Sequence, residues 1–126
     1  MQAIITNNPM VRDKFPVKKG QIVEFHDTDY MGVLKIVRDK IHLGCGLVTH
    51  PLSGSVKPGE TPYKTIIISV AKDDFDEKNQ LIDKNALFII EESIQTCVKL
   101  TAFSKKRELT PEILGDFQLI DYGLII

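Results

Sequence analysis

Apolar and polar positions alternate in blocks whose period switches between two and 3.6 residues, which predicts an alternation of strands and helices. Ala3-Ile-Ile-Thr6 reads as a short strand, closed by Asn7-Asn8-Pro9. Asn8 suits a helix N-cap and Pro9 the first helical position, where its missing N–H costs nothing. That helix, Pro9 to Phe15, is stopped by Pro16. Gln21 to Phe25 is a second strand, and Asp27-Thr28-Asp29 supplies caps for a helix from about Tyr30 to Leu43. In it Tyr30, Val33, Leu34, Val37 and Ile41 form one stripe, with Gly44 as the terminator.

Cys45 to Thr49 reads as the third strand. Thr65 to Ala71 reads as the fourth, and its unbroken apolar run suits a strand covered on both faces. Asp73 to Gln80 is a polar surface segment. Asp83 caps the longest helix, which carries Ala86, Ile89, Ile90, Ile94, Cys97 and Val98 on one side and ends near Ser104 in a solvated basic turn, Lys105 to Arg107. Thr110-Pro111-Glu112 opens a last helix with Ile113, Leu114, Phe117 and Ile120. For Tyr122 to Ile126 an edge strand and a packed tail are both open. Strands separated by helical segments predict an α/β fold: a small Rossmann-like three-layer α/β/α sandwich, its sheet mostly parallel and about four strands wide. Residues 1–126 form one domain in this reading.

Composition narrows the function classes. Sixteen Lys+Arg against 17 Asp+Glu give a net charge of −1, so there is no electrostatic footprint for nucleic acid or an anionic membrane. No stretch approaches the roughly 18 to 20 apolar residues of a membrane helix, and the first residues lack a signal peptide's basic flank. A cytoplasmic location is the expectation. Cys45 and Cys97 are far apart, and His26, His42 and His50 share no ligand spacing. The sequence therefore predicts neither a disulfide nor a metal site, and no cofactor motif is present.

In a parallel sheet the strand C-termini share one edge, where ligand crevices form. Two segments reach that edge: Thr6 to Pro9, and the loop that begins at Thr49-His50. The stretch Pro51 to Tyr63 is long for a compact domain, and such loops tend to be functional. Asn7, Asn8, Thr49, His50, Ser53, Gly54, Ser55, Lys57 and Tyr63 are the candidate ligand-binding residues, suited together to a small carboxylate or phosphate. Thr61 adds a hydroxyl. Each has a structural reading too: Asn8 as a cap, Ser53-Gly54-Ser55 as a turn, Lys57 and Lys64 as solvated cations unless the loop folds back. His50 is the candidate acid/base, its ordinary pKa lying near neutrality.

Stock motifs fail. Gly54-Ser-Val-Lys-Pro-Gly59 has a phosphate loop's glycine spacing, but Glu60-Thr61 stands where Lys-Ser/Thr is required. No GxGxxG and no GxSxG is present, and Asp73 to Glu77 lacks the spacing of a calcium loop.

The block Thr49-His-Pro-Leu-Ser-Gly-Ser-Val-Lys-Pro-Gly-Glu-Thr-Pro-Tyr-Lys64, with Ile4-Ile-Thr-Asn-Asn-Pro9 and Asp116-Phe-Gln-Leu-Ile-Asp121, resembles the GrdX family. The resemblance implies a small cytoplasmic protein of amino-acid-fermenting anaerobes, encoded beside components of glycine, sarcosine or betaine reductase. It implies no catalytic residues, and the chain has no redox CxxC. Three roles follow as expectations. They are an accessory small-anion binder, an assembly partner of a reductase subunit (with self-association through the tail Leu124-Ile-Ile126), and a small hydrolase or transferase using His50.

Overall fold

The computed structural model describes residues 1–54, 56–70, 81–104 and 108–126. Four strands, β1 (Gln2–Thr6), β2 (Gln21–Phe25), β3 (Gly46–Leu47) and β4 (Thr65–Ser69), and four helices, α1 (Pro9–Lys14), α2 (Tyr30–His42), α3 (Lys84–Phe103) and α4 (Pro111–Ile125), make up the described fold. Every helix begins on a side chain expected to cap it. Asn8 accepts from Met10 N, Asp29 from Gly32 N, Asp83 from Ala86 N and Thr110 from Ile113 N, each satisfying an N–H that the helix leaves without a partner.

The strand order is β2-β1-β4-β3. β1 pairs parallel with β2, whereas β4 runs antiparallel to both of its neighbours, β1 and β3. The sheet is therefore mixed, and the expectation of a mostly parallel Rossmann-like sandwich is wrong. The reason lies between β3 and β4. Parallel neighbours need a crossover, usually a helix, and the proline- and glycine-broken stretch 51–63 cannot make one. The chain turns back and β4 enters the middle of the sheet reversed. β3 is shorter than expected because Val48 N and Thr49 N both donate to the Ile67 carbonyl, at 2.9 and 3.2 Å, while Thr49 Oγ1 takes the Ile67 N–H at 2.9 Å. That side-chain bond ends the ladder.

Both sheet faces are covered, as β4's apolar run requires. Ile5, Ile66 and Ile68 pack with Leu34, Val37 and Ile41 of α2 and Ile90 and Cys97 of α3. Ile4 and Ile67 pack with Val11 of α1, and Tyr122 and Ile125 of α4 lie against them. Ile5, Leu34, Ile66 and Ile90 are fully buried, each contributing about 1.5–3 kcal/mol by leaving water. Tyr122 to Ile125 continue α4, which settles the tail as helix. The segments Asp73 to Gln80 and Lys105 to Arg107 lie outside the described residues.

Candidate functional site

The register brings Thr6, Phe25 and Thr65 to one edge of the sheet. Because β4 is reversed, its first residue stands beside the last residue of β1, and Asn7 and Lys64 leave the sheet side by side. Asn7 fastens this edge. Its Oδ1 accepts from Lys64 N at 2.9 Å, and its Nδ2 donates to the carbonyls of Thr28 and Pro62 at 2.9 and 2.8 Å. Both amide protons of Asn7 are committed to the chain's own backbone.

Asn8 is used as fully. Beyond the cap, at 2.9 Å to Met10 N, its Nδ2 donates to Gln118 O at 2.9 Å and to Asp121 Oδ2 at 3.0 Å. Asp121 is the one buried residue of α4. Its Oδ1 accepts from Thr65 N at 3.1 Å and its Oδ2 from Thr65 Oγ1 at 2.7 Å. Thr6 Oγ1 in turn lies 2.7 Å from Thr65 Oγ1 and accepts from Asn8 N at 3.0 Å. Since Asp121 only accepts, the protons run in one direction: Asn8 N–H to Thr6, Thr6 to Thr65, Thr65 to Asp121. This chain of hydrogen bonds joins β1, β4, α1 and α4 behind the edge.

In front of it stands Lys64. The sequence suggests a solvated cation unless the loop folds back; the loop does, and Lys64 is 3% exposed. Its Nζ donates to the Ser53 carbonyl at 2.6 Å and approaches the Ser53 hydroxyl at 3.4 Å. Among the described residues no carboxylate comes within 4.0 Å of it. Burial lowers the Lys64 pKa below its ordinary value, and attraction to Asp121 offsets this in part. Lys64, Ser53, Thr61, Tyr63, Tyr30 and Asp121 line a cleft whose outer wall is Phe117, Ile120 and Leu124 of α4. Its enclosed space is about 10 Å³, the size of one water. Burial raises the Tyr30 pKa, so that hydroxyl stays protonated. Tyr63 OH accepts from Gln118 Nε2 at 2.9 Å, tying loop to α4.

The expected residues thus divide. Ser53 and Tyr63 meet at the Lys64 cleft, with Gly54 at its margin, where φ is +111° and the backbone lies close to Leu124. Asn7 and Asn8 support it from behind. Thr49 closes the end of the β3–β4 ladder, its Oγ1 accepting from Ile67 N. His50 is exposed, and its Nδ1 accepts from Leu52 N at 3.0 Å; among the described residues no hydroxyl or carboxylate is hydrogen-bonded to its ring. Lys57 lines a neighbouring open groove of about 980 Å³, with Met31, Leu100 and Phe103, which shares Tyr30 and Thr61 with the cleft. Ser55 lies outside the described residues. Sequence reasoning missed Lys64 and Asp121 as site residues. For Asp121 a signal existed: it falls on the helical stripe of Leu114, Gln118 and Ile125, where a carboxylate needs buried donors. Lys64 carried no comparable sign.

A family profile for GrdX-like protein matches residues 3–126. The chain belongs to the GrdX-like family. The match spans nearly the whole chain, so cleft, loop and α4 are all parts of the family's domain. Neither the curated proteins nor the solved structures contain a match. Among the described residues no helix is long and apolar enough to cross a membrane.

Proposed function

We propose that this GrdX-like chain is a cytoplasmic accessory protein of amino-acid reduction that holds a small carboxylate or phosphate at Lys64. One observation carries the reading: a buried amino group, whose hydrogen-bond acceptors are both neutral, stands on a cleft at the edge where the long loop meets the sheet. Burial without a partnered anion disfavours the charged form of this amine, and an incoming anion restores it. Ser53, Gly54 and Tyr63 surround the ligand, while Asn7 and Asn8 hold the frame. The family resemblance supports glycine, sarcosine or betaine reductase as the system served. Because the cleft now encloses only a water's volume, binding requires the α4 wall or the loop to yield.

Thermal-shift measurements against glycine, betaine, phosphate, acetyl phosphate and nucleotides test this. The expected result is stabilisation by at least one anion, lost in Lys64→Met. No shift with any of them, or an equal shift in the variant, overturns it.

A second reading rests on α4 and the residue that follows it, where Leu119, Leu124 and Ile126 are 59, 50 and 67% exposed. Apolar surface grouped on one helix marks a contact site, which suits assembly with a reductase subunit or with a second copy. Co-purification and light scattering separate those two outcomes, and a monomer that captures no reductase subunit removes this reading.

A further inference from the structure

We infer that Lys64 is a carbonyl-reactive amine, forming a reversible imine with a small aldehyde or 2-oxo acid at the mouth of its cleft. The inference rests on the Lys64 site described above and names the group its ligand would carry.

The donor count is the first support. An ammonium has three N–H groups and a free amine two. Lys64 Nζ meets two acceptors, the Ser53 carbonyl at 2.6 Å and the Ser53 hydroxyl at 3.4 Å. The neutral amine is satisfied there and keeps its lone pair uncommitted, whereas the ammonium has a proton too many. The surroundings act in the same direction. Asp121 lines the cleft and favours the charged form, but among the described residues no carboxylate comes within 4.0 Å, and behind an outer wall of Phe117, Ile120 and Leu124 the loss of hydration outweighs that attraction. Burial lowers the pKa of the group accordingly.

The chemistry balances without an oxidant or reductant. The Nζ lone pair attacks the carbonyl carbon, the C=O π pair moves to oxygen, and a proton passes from nitrogen to that oxygen to give a carbinolamine. The nitrogen lone pair then forms C=N as the hydroxyl leaves, protonated, as water. Tyr63 lines the same cleft and its oxygen accepts from Gln118, so its own O–H can protonate the departing hydroxyl, and the phenolate then takes the remaining proton from the iminium nitrogen, which leaves the neutral imine and restores Tyr63. Lys64 is 3% exposed and the cleft encloses one water's volume, so a carbonyl compound reaches Nζ only as the half-exposed wall residues Ile120 and Leu124 give way, which favours the smallest aldehydes and 2-oxo acids.

The test uses the wild-type chain with glyoxylate and cyanoborohydride, which reduces an imine to a stable carboxymethyl amine located by peptide mass mapping. Exposed Lys57 is the internal reference. The expected result is labelling of Lys64 ahead of Lys57, because burial favours the attacking free-amine form at Lys64. Labelling led by Lys57, or none at Lys64, overturns the inference. A parallel thermal-shift arm uses phosphate and acetate, which have no reactive carbonyl. A shift there without trapping at Lys64 leaves the anion reading standing and defeats the imine; trapping at Lys64 without a shift does the reverse.

Discussion

Removing the Asp121 carboxylate tests whether α4 is held by one buried acid. Asp121→Ala deletes acceptors for Asn8 Nδ2, Thr65 N and Thr65 Oγ1, at 3.0, 3.1 and 2.7 Å. Asn8 keeps Gln118 O, and the Thr65 hydroxyl can turn, but Thr65 N–H is left buried without an acceptor. Hydrogen bonds to a charged group contribute about 1.5–3 kcal/mol each net, and an orphaned buried donor costs about 1–3 kcal/mol. Alanine also relieves the carboxylate's own desolvation, which is several kcal/mol. The balance is a loss of about 3 kcal/mol, roughly a 10 °C fall in Tm for a domain of this size. Asp121→Asn keeps the shape and the acceptor for Thr65 N–H but turns an NH2 toward Asn8 Nδ2, at about 1–2 kcal/mol. Urea unfolding of the three proteins, read as midpoint at constant slope, should rank wild type above Asp121→Asn above Asp121→Ala. An alanine variant within about 0.5 kcal/mol of wild type would refute the reasoning, as would an asparagine variant less stable than alanine.

Three further outcomes follow from other residues. Lys64 has a lowered pKa in the folded chain, so the unfolded chain binds more protons and stability rises with pH between the lowered value and 10.5; Lys64→Met should abolish that rise in denaturation at neutral and alkaline pH. Burial pushes the Glu24 carboxyl up, but hydrogen bonds from His26 and Lys40 outweigh it and hold the group below 4.5. Its stabilising contribution is complete above 4.5 and is lost as pH falls through the lower folded value, so Glu24→Gln should flatten the acid limb by under about 1 kcal/mol. Gly54→Ala places a Cβ 2.6 Å from Leu124 Cδ1 at a φ of +111°, which should cost about 1 kcal/mol or more and displace Leu124, seen as faster hydrogen exchange in α4.

Local chemistry was legible in the sequence, and long-range chemistry was not. Asn8, Asp29, Asp83 and Thr110 announce the helices because a cap acts within three residues. The stripe on α2 and the apolar run of β4 identify their buried faces for the same reason. The direction of β4 depends on what joins it to β3. The helix-free stretch 51–63 already contained that answer, but the alternation of the other segments outweighed it. Tyr122 to Ile126 lacked a local rule, since their fate is set by Tyr122 OH reaching Lys14 O at 3.1 Å and by Ile125 packing under the sheet. Lys64 looked like any lysine before a strand. Only its contact with Ser53, across a folded loop, makes it a buried amine.

The reversed strand also sets the order in which the fold can assemble. β1 finds its parallel partner β2 within the first 25 residues, but the other side of β1 pairs with β4, with Thr6 opposite Thr65. During synthesis β1 therefore presents Ile4 and Ile5 along an open sheet edge while α2 and the long loop are still being made. Such an edge is a template for pairing with another chain. Closing it requires a loop of nearly half the protein, an entropic delay that slows the decisive step. Crowded nascent chains are therefore most exposed to mispairing before Thr65 emerges, and the Lys64 cleft cannot exist until that edge is sealed.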